Sequence, residues 1–191
     1  MKRLTHLGPD GAARMVDVSA KRATVRTAAA RAVVTLGPKA YLALDASENA
    51  KGDALAVARL AGIQAAKRTA EWIPLCHPLV FDAVAVSFAR RAKARAVEIR
   101  TEVRGTGKTG FEMEALVAAS AAALALYDMC KAADKGIVIG PIALLEKTGG
   151  KSGAWRRGVT APAASARARA RRNGAGRPRA GGGSSSSRRR V

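Results

Sequence analysis

Two residues of opposite charge that could share acid–base chemistry lie near the end of the longest helical pattern in the chain. Asp128 and Lys131 are three residues apart, so a helix would place them on one face. An exposed ion pair of little energetic consequence is one interpretation. Their neighbours Tyr127, Met129 and Cys130 prefer burial, and in a half-buried setting the two groups would shift each other's pKa. Asp128 and Lys131 are therefore candidate proton-transfer residues.

A lysine and a histidine occupy unusual backbone settings. Lys51 stands just before Asp53, a plausible N-cap for the following helix, where a positive charge opposes the helix dipole. It is either an exposed lysine beside a capping aspartate or a functional group. His77 lies between Pro74 and Pro78, in a corner that cannot be regular helix. It is either a packed structural histidine or a catalytic one.

Two carboxylates open the long helix. Glu112 and Glu114 fall in its first turn, where they would stabilise the helix dipole. The functional alternative is recognition of a guanine-like edge, because a carboxylate accepts hydrogen bonds from an amino group and a ring N–H together. The preceding segment 107–109 reads GKT, but Glu102 stands where a P-loop requires glycine, so a P-loop is not predicted.

Basic residues recur at the ends of the predicted elements, and such a set suits a polyphosphate. No group of His and Cys has metal-ligand spacing, so a protein-bound metal is not expected. The two cysteines are far apart in sequence, which is typical of a cytoplasmic protein with reduced thiols. The basic residues in question are Arg26, Lys51, Lys67, Lys131, Lys147 and Lys151.

The scaffold that positions these residues is predicted from the hydrophobic pattern. From residue 31 onward the order is β-α-β-β-α-β, which predicts an α+β, ferredoxin-like fold: an antiparallel sheet with helices packed on one face. Small residues dominate the long helix, so it could approach either another subunit or its own sheet closely. The predicted elements are a strand or ordered arm at 13–19, strands at 31–36, 81–88, 97–103 and 137–145, and helices at 39–46, 53–71 and 112–134, the last ended by Gly136.

The positive charge of the chain is unevenly distributed. Its 191 residues include 34 Lys and Arg against 14 Asp and Glu, a net charge of +20, and twelve of the basic residues follow residue 150 without any acid. From about Gly158 the composition is too poor in apolar residues to order itself. We therefore predict a folded domain over 1–157 and a disordered basic tail over 158–191. The tail is either a solvated appendage or a segment that binds RNA or another polyanion. The longest apolar stretch, 116–127, is too short to cross a bilayer, so no membrane association is expected.

At these same positions the sequence closely resembles the MoaC family, the cyclic pyranopterin monophosphate synthases of molybdenum cofactor biosynthesis. The matching motifs run in the family's order over roughly residues 4–156. They are MVDVS (15–19), KGD (51–53), AGIQAAKRT (61–69), IPLCHPL (73–79), TGKTGFEMEAL (106–116), YDMCKA (127–132), IGPI (139–142) and GGKSG (149–153).

The resemblance implies a ferredoxin-like subunit in a homohexamer, a trimer of dimers, with active sites at subunit interfaces. It implies a lyase that converts 3′,8-cyclo-7,8-dihydroguanosine 5′-triphosphate into cyclic pyranopterin monophosphate and diphosphate by general acid–base catalysis. No tightly bound cofactor is implied, although Mg²⁺ can accompany the triphosphate. Two alternatives remain open: a polyanion- or RNA-binding protein acting through the tail, and a non-catalytic pterin or nucleotide binder.

Residue by residue, the resemblance separates a reacting set from a substrate-binding set. Asp128 is expected to be the catalytic aspartate, with Lys51 and Lys131 as proton-transfer partners. The substrate-binding set is expected to comprise Leu75, Cys76, His77, Met113 and Glu114, with Glu112 at the same end, and phosphate contacts from Arg26, Lys67, His77 and Lys147.

Overall fold

An antiparallel sheet forms one layer of the fold. The structure is a computed structural model and describes residues 6–8, 10–44 and 53–158. In this part of the chain the strands are β1 (Thr24–Thr35), β2 (Ala83–Arg91), β3 (Ala96–Gly107), β4 (Val138–Thr148) and β5 (Trp155–Arg156).

The strands lie in the order β2-β3-β1-β4-β5. All four neighbouring pairs are antiparallel. The run β2-β3-β1-β4 is the strand order of a ferredoxin-like fold, so the predicted fold class is confirmed. β4 is irregular: its register against β1 shifts between Ala29 and Ala30 and again between Ala32 and Val34. It is half-exposed, because only the two-residue β5 pairs with its outer edge.

Helices cover one face of this sheet. The central strand β1 alternates toward them, and its side chains Ala30, Ala32 and Val34 are fully buried. The helical segments are α1 (Pro38–Leu42), α2 (Ala54–Lys67), α3 (Thr69–Trp72), a single 3₁₀ turn (Ala92–Ala94) in the β2–β3 hairpin, and α4 (Glu112–Cys130).

The two long helices, α2 and α4, pack against each other in opposite directions. Each follows one of two antiparallel neighbouring strands and returns over the same face of the sheet. Gly62 permits the close approach, because a Cβ there would lie 3.0 Å from the Ala118 carbonyl oxygen and 3.3 Å from the Ala122 Cβ. The small residues of α4 therefore serve packing within the chain. It also follows that the start of α2 lies beside the end of α4.

Several element ends differ from those predicted. Residues 14–18 form no strand; next to them, Ala13 makes only an isolated bridge with Leu7, so the segment is an irregular arm. β1 begins at Thr24, seven residues before the predicted start. The predicted helix 53–71 divides at Arg68, whose φ of −116° leaves the helical range.

The end of α4 also differs from the prediction. The helix ends at Cys130, with Lys131 as its C-cap, rather than near residue 134. Gly136 does not cap it; instead the Gly136 N–H donates to the Asp134 carboxylate at 2.7 Å. The four-residue difference arises because the chain leaves the helix through a turn at 131–133 that retains near-helical hydrogen bonds to Cys130.

Helix α4 is also the most apolar element. By length and composition alone it could span a membrane, but 56% of its apolar 18-residue segment is buried inside the fold. Its residues Ala115, Ala119 and Leu126 are completely buried against the sheet and α2. It is therefore the core helix of a soluble-type domain.

Candidate active site

A cavity lies between the N-terminal arm (residues 14–18), the corner at 75–79 and the start of α4. We call it the arm cavity. Its volume is about 370 Å³. Val16 and Val18 of the arm, with Lys21 just after it, line one side of it. Six of the residues predicted to bind substrate meet in this cavity: Leu75, Cys76, His77, Glu112, Met113 and Glu114.

The corner between Pro74 and Pro78 fixes the direction of His77. Proline removes a backbone donor and restricts the preceding residue, so the chain cannot continue α3 through this segment. His77 Nε2 lies 2.9 Å from the Val16 carbonyl oxygen. Because a carbonyl only accepts, Nε2 is the donor of this hydrogen bond. The same bond ties the arm to the cavity.

Glu114 is the most unusual group of the arm cavity. Its side chain is only 3% exposed, although it stands in the first turn of α4. Burial and the nearby negative charge of Glu112 raise its pKa to about 7. Burial and the charge of Glu114 likewise raise the pKa of the Cys76 thiol. Stabilisation of the helix dipole would not require burial, so the dipole does not account for Glu114.

A second cavity, the basic cavity, adjoins the first and has a volume of about 390 Å³. The two share part of their lining, including Lys21 and Glu112. Within the described ranges five cations face the basic cavity and Glu112 is the one acid. The cations are Lys21, Arg26, Lys108, Lys147 and Lys151.

Backbone carbonyls, rather than acids, hold these cations in place. Arg26 donates through Nε to the Gly107 carbonyl at 2.9 Å, and Lys108 Nζ donates to the Ser19 carbonyl at 2.9 Å. Lys147 Nζ donates to Ser152 Oγ at 2.5 Å and to the backbone just after it. Hydrogen bonds to neutral acceptors leave these charges in place. Although Lys108 adds to the Ser19 hydrogen bonds that lower the pKa of Asp17, cations outnumber acids around the basic cavity in the described chain, which suits a polyanion.

The glycine turn after β4 makes room for this arrangement. Gly150 has a φ of +70°, and a Cβ on it would lie 2.8 Å from the Arg26 Cζ. A side chain at this position would therefore be strained and would displace the guanidinium. The turn GGKSG thus fits its two roles, which are to admit Arg26 and to supply acceptors to Lys147.

Lys67 lies apart from the other predicted phosphate ligands. It lines a third cavity, the small cavity, of about 170 Å³ at the junction of α2 and α3. Glu114 and Leu79 line this cavity as well as the arm cavity. Lys67 itself lines neither the arm cavity nor the basic cavity.

The predicted reacting residues lie at the opposite end of the helix layer. Asp128 and Lys131 form an ion pair of 2.5 Å, with side chains 57% and 50% exposed. Of the two interpretations, the exposed ion pair describes a single chain and the half-buried pair does not, because the helix turns Asp128 and Lys131 outward while Cys130 between them stays buried. The Asp128 carboxylate raises the pKa of Lys131 by accepting its hydrogen bond. Neither residue lines any of the cavities described above.

Lys51 lies outside the described residues. Asp53, two positions later in the chain, caps α2 as predicted: its carboxylate accepts from the N–H groups of Leu55 and Ala56. Since α2 and α4 are antiparallel, this cap lies at the same end of the helix layer as Asp128. The predicted site residues that the structure describes thus fall into two groups at opposite ends of the helix layer.

The chain matches the MoaC family over residues 15–150. This range includes both groups of site residues, from the arm at Val16 to Lys147. The chain belongs to the MoaC family. Members of this family are enzymes of molybdenum cofactor biosynthesis, and the expected membership is confirmed.

Two features of this MoaC family site were not predicted from the sequence. Lys21 and Lys108 line the basic cavity, but Lys108 had been considered only as part of a failed P-loop and Lys21 not at all. The contact between His77 and the arm was likewise not predicted, since a main-chain acceptor leaves no trace in side-chain patterns. In the described part of the chain, no group of three or more His, Cys, Asp or Glu side chains could hold a metal ion.

Proposed function

We propose that the chain is a cyclic pyranopterin monophosphate synthase. In this proposal it converts 3′,8-cyclo-7,8-dihydroguanosine 5′-triphosphate into cyclic pyranopterin monophosphate and diphosphate. One observation supports this proposal most directly: the arm cavity and the basic cavity lie next to each other and are lined by different kinds of group. The arm cavity offers carboxyl, thiol and imidazole groups to a ring edge, and the basic cavity offers five cations. The substrate has two matching parts: its guanine-derived ring suits the arm cavity, and its triphosphate suits the basic cavity.

The basic cavity suits the phosphoryl step of this reaction. A hydroxyl of the substrate attacks the α-phosphorus, the bond from that phosphorus to the bridging oxygen breaks, and diphosphate leaves with the electron pair. Negative charge grows on the departing group, so fixed cations nearby lower the barrier. Lys147 and Arg26, both held by hydrogen bonds to neighbouring groups, are suited to this role because they need not reorganise as the charge develops.

The resemblance assigns the proton transfers at the ring to a set of residues of which Asp128 and Lys131 line none of the described cavities. We assign these transfers to Asp128, Lys51 and Lys131 of a second copy, whose helix ends would complete the cavity across a subunit interface. Asp128 raises the pKa of Lys131 and so keeps it protonated in a single copy; to donate its proton, Lys131 would need the neighbouring cations of the completed site to lower that pKa. A homohexamer built as a trimer of dimers would provide such interfaces repeatedly.

The conditions of the reaction follow from the same chemistry. Mg²⁺ would arrive with the triphosphate as part of the substrate, because its preferred ligands are phosphate oxygens and water. In the described part of the chain neither Cys76 nor Cys130 is in a disulfide bond, which supports a cytoplasmic location with reduced thiols.

Incubation of the purified chain with the cyclised triphosphate tests the proposal. Diphosphate release is expected, and Lys51→Ala and Asp128→Ala should each abolish it. Lys93→Ala is the control, because this exposed lysine of the β2–β3 hairpin lines none of the cavities described above. Unchanged turnover in both site variants would contradict the assigned roles. The binding of RNA by the tail stays a prediction, tested by comparing RNA affinity and its salt dependence before and after truncation at Arg157.

A further inference from the structure

Glu114 has an acceptor that nothing in the described chain uses. Its carboxyl oxygen Oε2 is buried and has no hydrogen-bond partner among the described residues. Leaving such a group buried and unpaired is costly, so native structures rarely keep one without a ligand or a functional reason. The side chain is 3% exposed and forms part of the wall of the arm cavity. The unused oxygen therefore indicates a group that enters the cavity.

Glu114 also lines a second cavity. The small cavity, about 170 Å³ in volume, is lined by Glu114 together with Lys67 and Glu71, which do not line the arm cavity. A cavity needs only about 10–15 Å³ of such space to hold a water molecule, so this one can hold several. A proton that leaves Glu114 therefore has a route to water that does not pass through the arm cavity.

The surroundings of Glu114 favour its neutral form before a ligand arrives. Glu112 repels a second negative charge on the same helix turn, and the burial that dominates acts in the same direction. None of the neighbouring groups in the described chain hydrogen-bonds to Oε2. The titratable and charged groups around the two cavities are His6, Lys21, Lys67, Arg68, Glu71, Cys76, His77 and Glu112.

We propose that recognition of the substrate ring expels one proton from Glu114. The O–H bond of the carboxyl breaks, the proton passes to water in the small cavity, and the resulting carboxylate accepts two N–H donors of the ring edge. This inference rests on the proposed function, because the ring is that of the guanine-derived triphosphate. Glu114 then determines specificity. A ring whose edge carries adjacent amino and ring N–H groups can donate both hydrogen bonds to the carboxylate, whereas a ring whose edge carries only acceptors can donate neither.

Calorimetric titration of the full chain with guanosine tests this proposal. Guanosine carries the amino and ring N–H donors and has no phosphate that could release a proton of its own. Comparing buffers with different ionisation heats gives the number of protons released per guanosine bound. The pKa of Glu114 before guanosine binds is about 7. We therefore expect about 0.9 proton to be released per guanosine at pH 6 and about 0.1 at pH 8, and guanosine should bind about tenfold more weakly at pH 6 than at pH 8.

Two variants and one spectroscopic measurement complete the design. Glu114→Gln should release no proton, whereas Glu71→Gln, which changes a carboxylate of the small cavity only, should release as many as the unmodified chain. Carbon-13 NMR of labelled glutamate carboxyls in the unmodified chain should show one group deprotonating as guanosine is added at pH 6, even if Glu114→Gln does not fold.

Binding of guanosine without proton release, or with release that persists in Glu114→Gln, would overturn the proposal and leave diphosphate release from the triphosphate unaffected. Failure of guanosine to bind would contradict the ring-binding role of the arm cavity as well. Proton release without any turnover of the triphosphate would instead contradict the proposed function alone.

Discussion

Glu114 and Asp128 belong to the same helix but lie about 21 Å apart along its axis, given a rise of about 1.5 Å per residue. Glu114 is buried in the wall of the arm cavity, and Asp128 is exposed beside Lys131. No side-chain movement bridges such a distance on a continuous helix. If both residues act on one substrate, they must come from different copies of the chain, and this is the central claim of the proposed mechanism.

The basic cavity predicts a selective loss of phosphate binding. Lys147→Gln removes one charge but keeps a hydrogen-bonding side chain, so we expect the KM for the triphosphate to rise at least about tenfold, because the lost charge-assisted bond is worth about 1.5–3 kcal/mol. Inhibition by added diphosphate should weaken in parallel. Lys93→Gln, which removes the same charge far from the cavities, should change neither quantity; equal effects of the two variants would show that only the overall charge matters.

The contact between α2 and α4 predicts that Gly62 tolerates no large side chain. A Cβ on Gly62 already lies 3.0 Å from a backbone oxygen of α4, so Gly62→Leu should force the helices apart and lower the free energy of unfolding by at least about 2 kcal/mol. Gln64→Leu, at an exposed position of the same helix, should change it by no more than about 0.5 kcal/mol. Urea unfolding measures both, and similar midpoints for the two variants would contradict the packing described here.

The raised pKa of Cys76 predicts slow alkylation. Burial and the Glu114 charge disfavour the thiolate, so the pH midpoint of the reaction with iodoacetamide should lie above that of a free cysteine. Cys130, which is 2% exposed, should not react in the folded chain. Glu114→Gln removes one cause of the shift and should move the midpoint down. A midpoint at or below that of free cysteine would contradict the electrostatics of the arm cavity.

The fold was predictable because its signals are local. Asp53 was identified as an N-cap from its side chain and position alone, and the alternating runs gave β2 and β3. The start of β1 was missed for a physical reason: Ala28, Ala29 and Ala30 are all buried, so the two faces of the strand show no contrast there. Such a run of small residues gives no period-two pattern to read.

The site was predictable where residue types carry the chemistry and not where long-range contacts do. Cys76 and His77 lie in the expected cavity, but Lys21 was missed because its place depends on how the arm folds back over the site. The exposure of Asp128 does not follow from its neighbours, because residue types that prefer burial on either side of it do not show which way its own side chain faces. On a helix each residue turns about 100° from the last, so Cys130 is buried while Asp128 faces solvent.

Subunit complementation tests the two-copy site most directly. Asp128→Asn and Glu114→Ala should each be inactive alone, since every site then lacks one of its two halves. After co-expression in equal amounts, about one quarter of the sites in randomly mixed oligomers would combine an intact Glu114 with an intact Asp128 from another copy. We predict that diphosphate release returns to about one quarter of the unmodified rate. Mixed oligomers that form but remain inactive would contradict the claim that the active site is shared between subunits.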